Sequence, residues 1–221
     1  MRVRAVIFDL WDTLVLWPLD EAARLNEQIA ERLGVELERF TAVWNAARPA
    51  RSVGPLVENV RQVLGELGVN GADAEEIAAL RIDHTRRVLR PREGALETLE
   101  ELRRRGLRLG LISVCGEDVA HAWEKTPFAP LLDSVVLSCT VGLSKPDPRI
   151  YELAAEELDV LPEECLFVGD GANDEVAGAE RAGMRAALIL RPGGEEPLWP
   201  EARAWRGPRL RALPEVLALL A

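Results

Sequence analysis

Asp9 follows a largely apolar run at 3–8, with Thr13 four residues later; Ser113 ends the apolar run 107–112; Asp170 and Asp174 follow the apolar run 165–168. Lys145 precedes Pro146 and is, with Lys125, one of only two lysines. Three carboxylates, one lysine and one hydroxyl at a strand-end crevice suit a hard cation together with a phosphate. Magnesium is the natural cation. Taken singly the same residues read differently. A strand-end Asp is often a turn former, Asp174 and Ser113 can cap the helices that follow them, and Lys145 can be an ordinary solvated lysine. Only their convergence carries the chemistry, and convergence demands a particular fold.

Parallel sheets supply it, because ligands bind at the carboxyl ends of their strands. The run 3–8 reads as a first buried strand. Helical periodicity then takes over, with Ala23, Leu25, Ile29 and Leu33 in one segment and Val57, Val60, Val63, Leu64 and Leu67 in another. Gly34, Pro55 and Gly68 punctuate these helices. After Pro91 the pattern alternates: helix 95–105 stopped by Gly106, strand 107–112, strand 135–137, helix 148–158, strand 165–168, helix 173–182 and strand 186–190. The tail from Arg191 carries Pro192, Gly193, Gly194, Pro197 and Pro200, reads as a loop, and ends in a short helix at 214–220. The fold class is therefore α/β: a Rossmann-like, doubly wound parallel sheet of about five strands over 1–14 and 91–221, with an α-helical cap domain inserted at 15–90.

Composition narrows the function. A formal net charge of -10 excludes a non-specific nucleic-acid binder, whose affinity rests on clustered Lys and Arg. No apolar run reaches the length of a membrane span and no N-terminal segment reads as a signal peptide, so the expectation is a cytoplasmic protein with no membrane partner. Cys115, Cys139 and Cys165 are odd in number, lack C-x-x-C spacing, and read as reduced and structural. Neither G-x-G-x-x-G after the first strand nor a P-loop is present, which disfavours nucleotide cofactors. His84 and His121 read as surface or packing residues, and Arg48 and Arg51 as solvated rather than as readers of a substrate anion.

The segments FDLWDTL at 8–14, Ser113 after its strand, KPDP at 145–148 and GDGAND at 169–174 together resemble the four motifs of the haloacid dehalogenase-like hydrolases, and the helical insertion resembles their C1 cap subgroup. The resemblance spans about residues 3–190. It implies that Asp9 is the nucleophile and forms an aspartyl-phosphate that water hydrolyses. Ser113 would hold a phosphoryl oxygen, Thr13 would join the catalytic set, Lys145 would neutralise Asp9 and the transferring group, and Asp9, Asp170, Asp174 and the Trp11 carbonyl would hold magnesium. The implied substrate is a small phosphomonoester, met by a monomer or homodimer. One departure stands out: phosphatases of the family carry a second Asp two residues after the nucleophile, and Trp11 stands there, with Asp12 where Gly is usual. Two alternatives therefore stay open. An aromatic residue at that position fits a metal-free 2-haloacid dehalogenase, and loss of the acid-base Asp fits a protein that binds phosphorylated ligands without turnover. Schiff-base chemistry is excluded, since 15–90 contains no lysine. Trp11 and Trp17 either form an apolar lid over the substrate or pack the cap onto the core.

Overall fold

The computed structural model describes residues 2–69 and 71–220. Its strands are β1 (Ala5–Phe8), β2 (Arg108–Ser113), β3 (Ser134–Leu137), β4 (Cys165–Gly169), β5 (Arg185–Ile189) and β6 (Arg209–Leu210). They form one parallel sheet in the order β3-β2-β1-β4-β5-β6, whose direction of travel reverses between β1 and β4. Strands so placed are covered on both faces and hence apolar throughout. Phe8, Leu99, Leu111 and Val168 lie in a buried cluster on one face, while Ile7, Ile112, Tyr151 and Phe167 lie in a second on the other.

Five helices occupy the stretch after β1: α1 (Leu19–Leu33), α2 (Leu37–Ala46), α3 (Arg48–Arg51), α4 (Leu56–Leu67) and α5 (Ala74–Val88). They bury a cluster of their own that includes Leu25, Ile29, Phe40, Val60, Leu64 and Ile77. Gly34 and Gly68 close α1 and α4 in the left-handed conformation, at φ 65° and 69°, where a Cβ would be strained. The sheet resumes through α6 (Ala95–Arg104), α7 (Glu117–Trp123), α8 (Ser138–Val141), α9 (Pro148–Glu157) and α10 (Glu175–Arg181). No helix among the described residues is long and apolar enough to cross a membrane.

The structure departs from the sequence reading in three places. The tail holds a sixth strand, the two residues of β6, too short to show a period; β5 reaches it through Leu190 N–H, which donates to the Leu210 carbonyl at 2.8 Å. The helix expected from 173 begins at Glu175, because Asn173 and Asp174 both take φ of 55°. Arg51, expected in solvent, is half-buried, whereas Arg48 is exposed. Trp44 lies between Arg51 and Arg81, whose guanidinium carbons stand 3.8 and 3.7 Å from its ring centroid. Such contacts contribute about 0.5–2 kcal/mol, whereas the effective penalty for burying a charge is several kcal/mol per ion. Stacking alone leaves these two cations under-compensated.

Arg92 ties the first loop to the far side of the sheet. It is 6% exposed and donates to the carbonyls of Asp12 at 3.2 Å, Thr13 at 3.3 Å and Leu190 at 3.2 Å. Its own amide donates to the Leu14 carbonyl at 2.9 Å. Replacement by an unbranched apolar chain leaves those three backbone carbonyls without the guanidinium in the interior. Arg92→Met is expected to lower stability by about 3 kcal/mol, read as a lower urea midpoint at unchanged slope.

Candidate active site

The reversal between β1 and β4 brings the two aspartate-bearing loops together. Phe8 pairs with Val168, and the Asp9 amide donates to the Val168 carbonyl at 2.9 Å, so Asp9 and Asp170 leave the sheet side by side. Lys145, just before α9, completes the group. Its ammonium donates to Asp9 Oδ1 at 2.5 Å, to the Ile112 carbonyl at 3.2 Å and to Glu175 Oε2. The side chain is buried and passes 5.4 Å from the Phe167 ring centroid.

Glu175 is the residue the sequence reading missed. The two left-handed residues before it use up the turn, so the first residue of α10 is the one aimed inward. Asp174 instead points outward, its side chain 46% exposed and paired with Arg181 at 3.0 Å, and it does not join the cluster. Gly171 N–H donates to Glu175 Oε1 at 2.9 Å, and the Tyr151 hydroxyl donates to the Glu175 carbonyl at 2.8 Å. Gly169 makes room, since a Cβ there would collide with the Glu175 carboxylate. The legible signal was a carboxylate directly after Asn-Asp, two residues whose short polar side chains tolerate positive φ.

Oxygens of Asp9, Asp170 and Glu175 lie within 4.8 Å of one another. Burial raises the affinity of all three carboxyls for protons, with Lys145 opposing this at Asp9 and Glu175. Asp170 is pushed up to about 6, by burial first and by the Asp9 charge second. Burial would lower Lys145, but Asp9 and Glu175 outweigh it and hold it well above its ordinary value. Three crowded carboxyls against one ammonium are under-neutralised, and an all-oxygen donor set of this kind fits a hard divalent cation.

Thr13 Oγ1 and Ser113 Oγ are buried and have no hydrogen-bond partner among the described residues. Buried hydroxyls left unpaired cost stability and are suited to receive an oxygen-rich ligand. Trp11, in the turn after Asp9, meets Trp17 edge-on with centroids 4.7 Å apart. Asp12 takes φ of 56°, and its carboxylate accepts from Trp17 N–H at 3.0 Å and pairs with Arg191 at 3.0 Å. It is committed to the linker rather than to Asp9. Asp170 accepts from the Trp199 indole N–H at 2.5 Å and from Ala172 N–H at 3.1 Å. His84 and His121 lie outside the cluster, half-buried and exposed respectively. An open groove of about 770 Å³ beside the linkers is lined by Trp17, Arg24, His84 and Arg191, and the cluster does not line it.

A family model of haloacid dehalogenase-like hydrolases matches residues 3–183. The chain belongs to this family. A glyceraldehyde 3-phosphate phosphatase of Methanopyrus kandleri is 31% identical over 209 residues, covering 86% of this chain and 84% of the relative. A phosphoserine phosphatase of Thermus thermophilus is 39% identical over 154 residues, covering 67% of this chain and 59% of that protein. Among solved structures, a HAD phosphatase from Thermococcus onnurineus superposes with a TM-score of 0.74 at 23% identity, covering 99% of this chain and 98% of the other. A 2-haloacid dehalogenase from Pseudomonas syringae superposes with a TM-score of 0.73 at 25% identity and the same coverage. Haloacid dehalogenase-like hydrolases of both chemistries thus share this fold.

Two measurements test the cluster. An acid whose folded-state pKa is raised to about 6 stabilises the fold only at low pH, and that stability is lost as pH rises through about 4 to 6. At pH 7.5 without divalent ions, Asp170→Asn is therefore expected to melt several degrees above wild type, a gain of up to about 3 kcal/mol. Magnesium should stabilise the wild type but not Asp170→Asn, and about tenfold more weakly at pH 5 than at pH 7.5 because a proton competes for Asp170. Glu175→Gln should weaken that magnesium response at least tenfold while Asp174→Asn leaves it within a factor of two; the reverse ranking would return Asp174 to the cluster.

Proposed function

We propose that this hydrolase is a phosphatase of small phosphomonoesters, working through an aspartyl-phosphate on Asp9 with magnesium as cofactor. The observation that carries the reading is the convergence of Asp9, held by Lys145 at 2.5 Å, with the unpaired Thr13 and Ser113 hydroxyls and the buried Asp170 and Glu175. The names of the similar phosphatases support it.

Asp9 must be ionised to attack. Burial opposes that and holds the Asp9 carboxyl above its ordinary range, while the Lys145 ammonium offsets part of the effect. One Asp9 oxygen forms a bond to phosphorus as the bond to the ester oxygen breaks, and the leaving alkoxide takes a proton from solvent. Water then attacks the same phosphorus, its protons pass to phosphate and solvent, and the Asp9 carboxylate is restored. Lys145 balances charge on Asp9 and on the transferring group, while Ser113 and Thr13 donate to phosphoryl oxygens. Asp9, Asp170 and the Trp11 carbonyl would hold magnesium, with Glu175 beside them in the place expected of Asp174. When bound, the ion supplies positive charge against the phosphoryl oxygens.

With Trp11 two residues after the nucleophile and Asp12 tied to Arg191, no carboxylate of the first loop is free to protonate the leaving group. General acid help is worth roughly two to four orders of magnitude, so rates should depend steeply on leaving-group acidity. Phosphate release is expected from aryl phosphates about a hundredfold faster than from simple alkyl phosphates, abolished by chelator and by Asp9→Asn. Metal-independent halide release from 2-chloropropionate, with no phosphate release, would replace this reading with dehalogenase chemistry; neither product would leave a binding protein.

A further inference from the structure

The helical region carries a second concentration of positive charge that no step above uses. Arg81, 8% exposed, donates from one terminal nitrogen to Asn26 Oδ1 at 2.7 Å, and Arg51 donates from one to the Trp44 carbonyl at 3.0 Å. The Nε of each is buried without a partner, and among the described residues neither guanidinium forms an ion pair. Asp118 is the acidic group whose field reaches both, and its carboxylate already accepts from the Thr85 hydroxyl. Burial disfavours the charged forms, pushing Arg51 to about 10 and Arg81 to about 9, so both remain cations at neutral pH.

Their place in the fold matters as much as their charge. The Arg51 carbonyl lies over Gly116, where a Cβ would stand 3.5 Å from it. The next carbonyl, that of Ser52, accepts from Ser138 Oγ at 2.7 Å, and Ser138 Oγ itself accepts from Cys115 N–H at 3.0 Å. The end of α3 is thus seated on the turn that leaves Ser113. Leu56 N–H continues this seam by donating to Glu117 Oε2 at 2.6 Å. Two desolvated guanidinium forks, each with a buried Nε–H left unpaired, stack on one indole, and α3, which carries one of them, is seated on the turn that follows Ser113; such forks match the geometry of an oxyanion.

We propose that Arg51 and Arg81 bind a second anionic group on the leaving-group side of the substrate, so that the preferred substrates are small phosphomonoesters carrying a further carboxylate or phosphate. This rests on the phosphatase reading of Asp9. The test compares esters that differ in that group alone: 3-phosphoglycerate against glyceraldehyde 3-phosphate for a carboxylate, and glycerol 1,3-bisphosphate against glycerol 1-phosphate for a phosphate. Wild type should favour the more charged member of at least one pair by about thirtyfold in kcat/KM. Arg51→Met and Arg81→Met should each erase about tenfold of that preference through KM, and Arg81→Lys should retain part of it. A purely structural pair would lower both members of each pair equally, and equal turnover by the wild type of both members in both pairs would overturn the inference while leaving the phosphatase intact. Release from an aryl phosphate alone overturns the subsite and leaves the phosphatase intact. If wild type releases phosphate neither from these four nor from an aryl phosphate, the phosphatase reading fails and binding decides. The more charged esters must then raise the melting temperature of wild type more than that of Arg51→Met or Arg81→Lys, and an equal rise in all three proteins sinks the subsite.

Discussion

A single buried ammonium, that of Lys145, lies between Asp9 and Glu175, and the rest of the site is arranged around what it can and cannot neutralise. One positive charge offsets part of the burial that favours the acid form of Asp9. It cannot also balance Glu175 and Asp170. The remaining negative charge makes the apo site electrostatically unfavourable and gives a cation somewhere to bind. A cation bound there would relieve that cost, so its affinity and the cost of the empty site would be linked.

Positioning that lysine requires the whole sheet. Lys145 reaches Ile112 at the end of β2, Asp9 at the end of β1 and Glu175 beyond β4, so three crossovers must deliver their ends to within one side chain's length. Parallel pairing in register achieves this without special local chemistry. The linkers to the helical region are held by other means. Arg92 gathers carbonyls from the first loop and from the end of β5, and Arg191 pairs with Asp12 while donating to the Trp17 carbonyl at 3.3 Å. The first loop is thus clamped from outside by arginines and from inside by a lysine, and Asp9 sits between the clamps.

Most of this was legible in the sequence because it obeys short-range rules. Apolar runs marked the strands, the 3.6-residue period marked the helices around 23–33 and 57–67, polar residues at run ends marked Asp9, Ser113 and Asp170, and Lys145 stood out just before a helix. What was not legible depends on backbone dihedrals or on long-range packing. Asp174 and Glu175 are adjacent carboxylates, and only the two φ values of 55° before α10 decide which faces inward. Arg51 looks like any surface arginine until α2, α3 and α5 close around Trp44. The two-residue β6 has no period to detect, and it exists because β5 offers it a free edge.

The carboxylate of Glu175 occupies the volume a Cβ on Gly169 would need, and it arrives there only because positions 173 and 174 accept a left-handed backbone. In mutational terms these four positions form one heritable block. A side chain at 169 expels the carboxylate, a β-branched residue at 173 or 174 rewinds the turn, and shortening Glu175 to Asp leaves the reach one methylene short. A lineage could move between this arrangement and one that uses the preceding aspartate only by several coordinated changes, with intermediates that hold neither carboxylate in place. The spacing of acids in this loop is therefore a barrier to gradual drift, and it should divide homologues into discrete classes rather than a continuum.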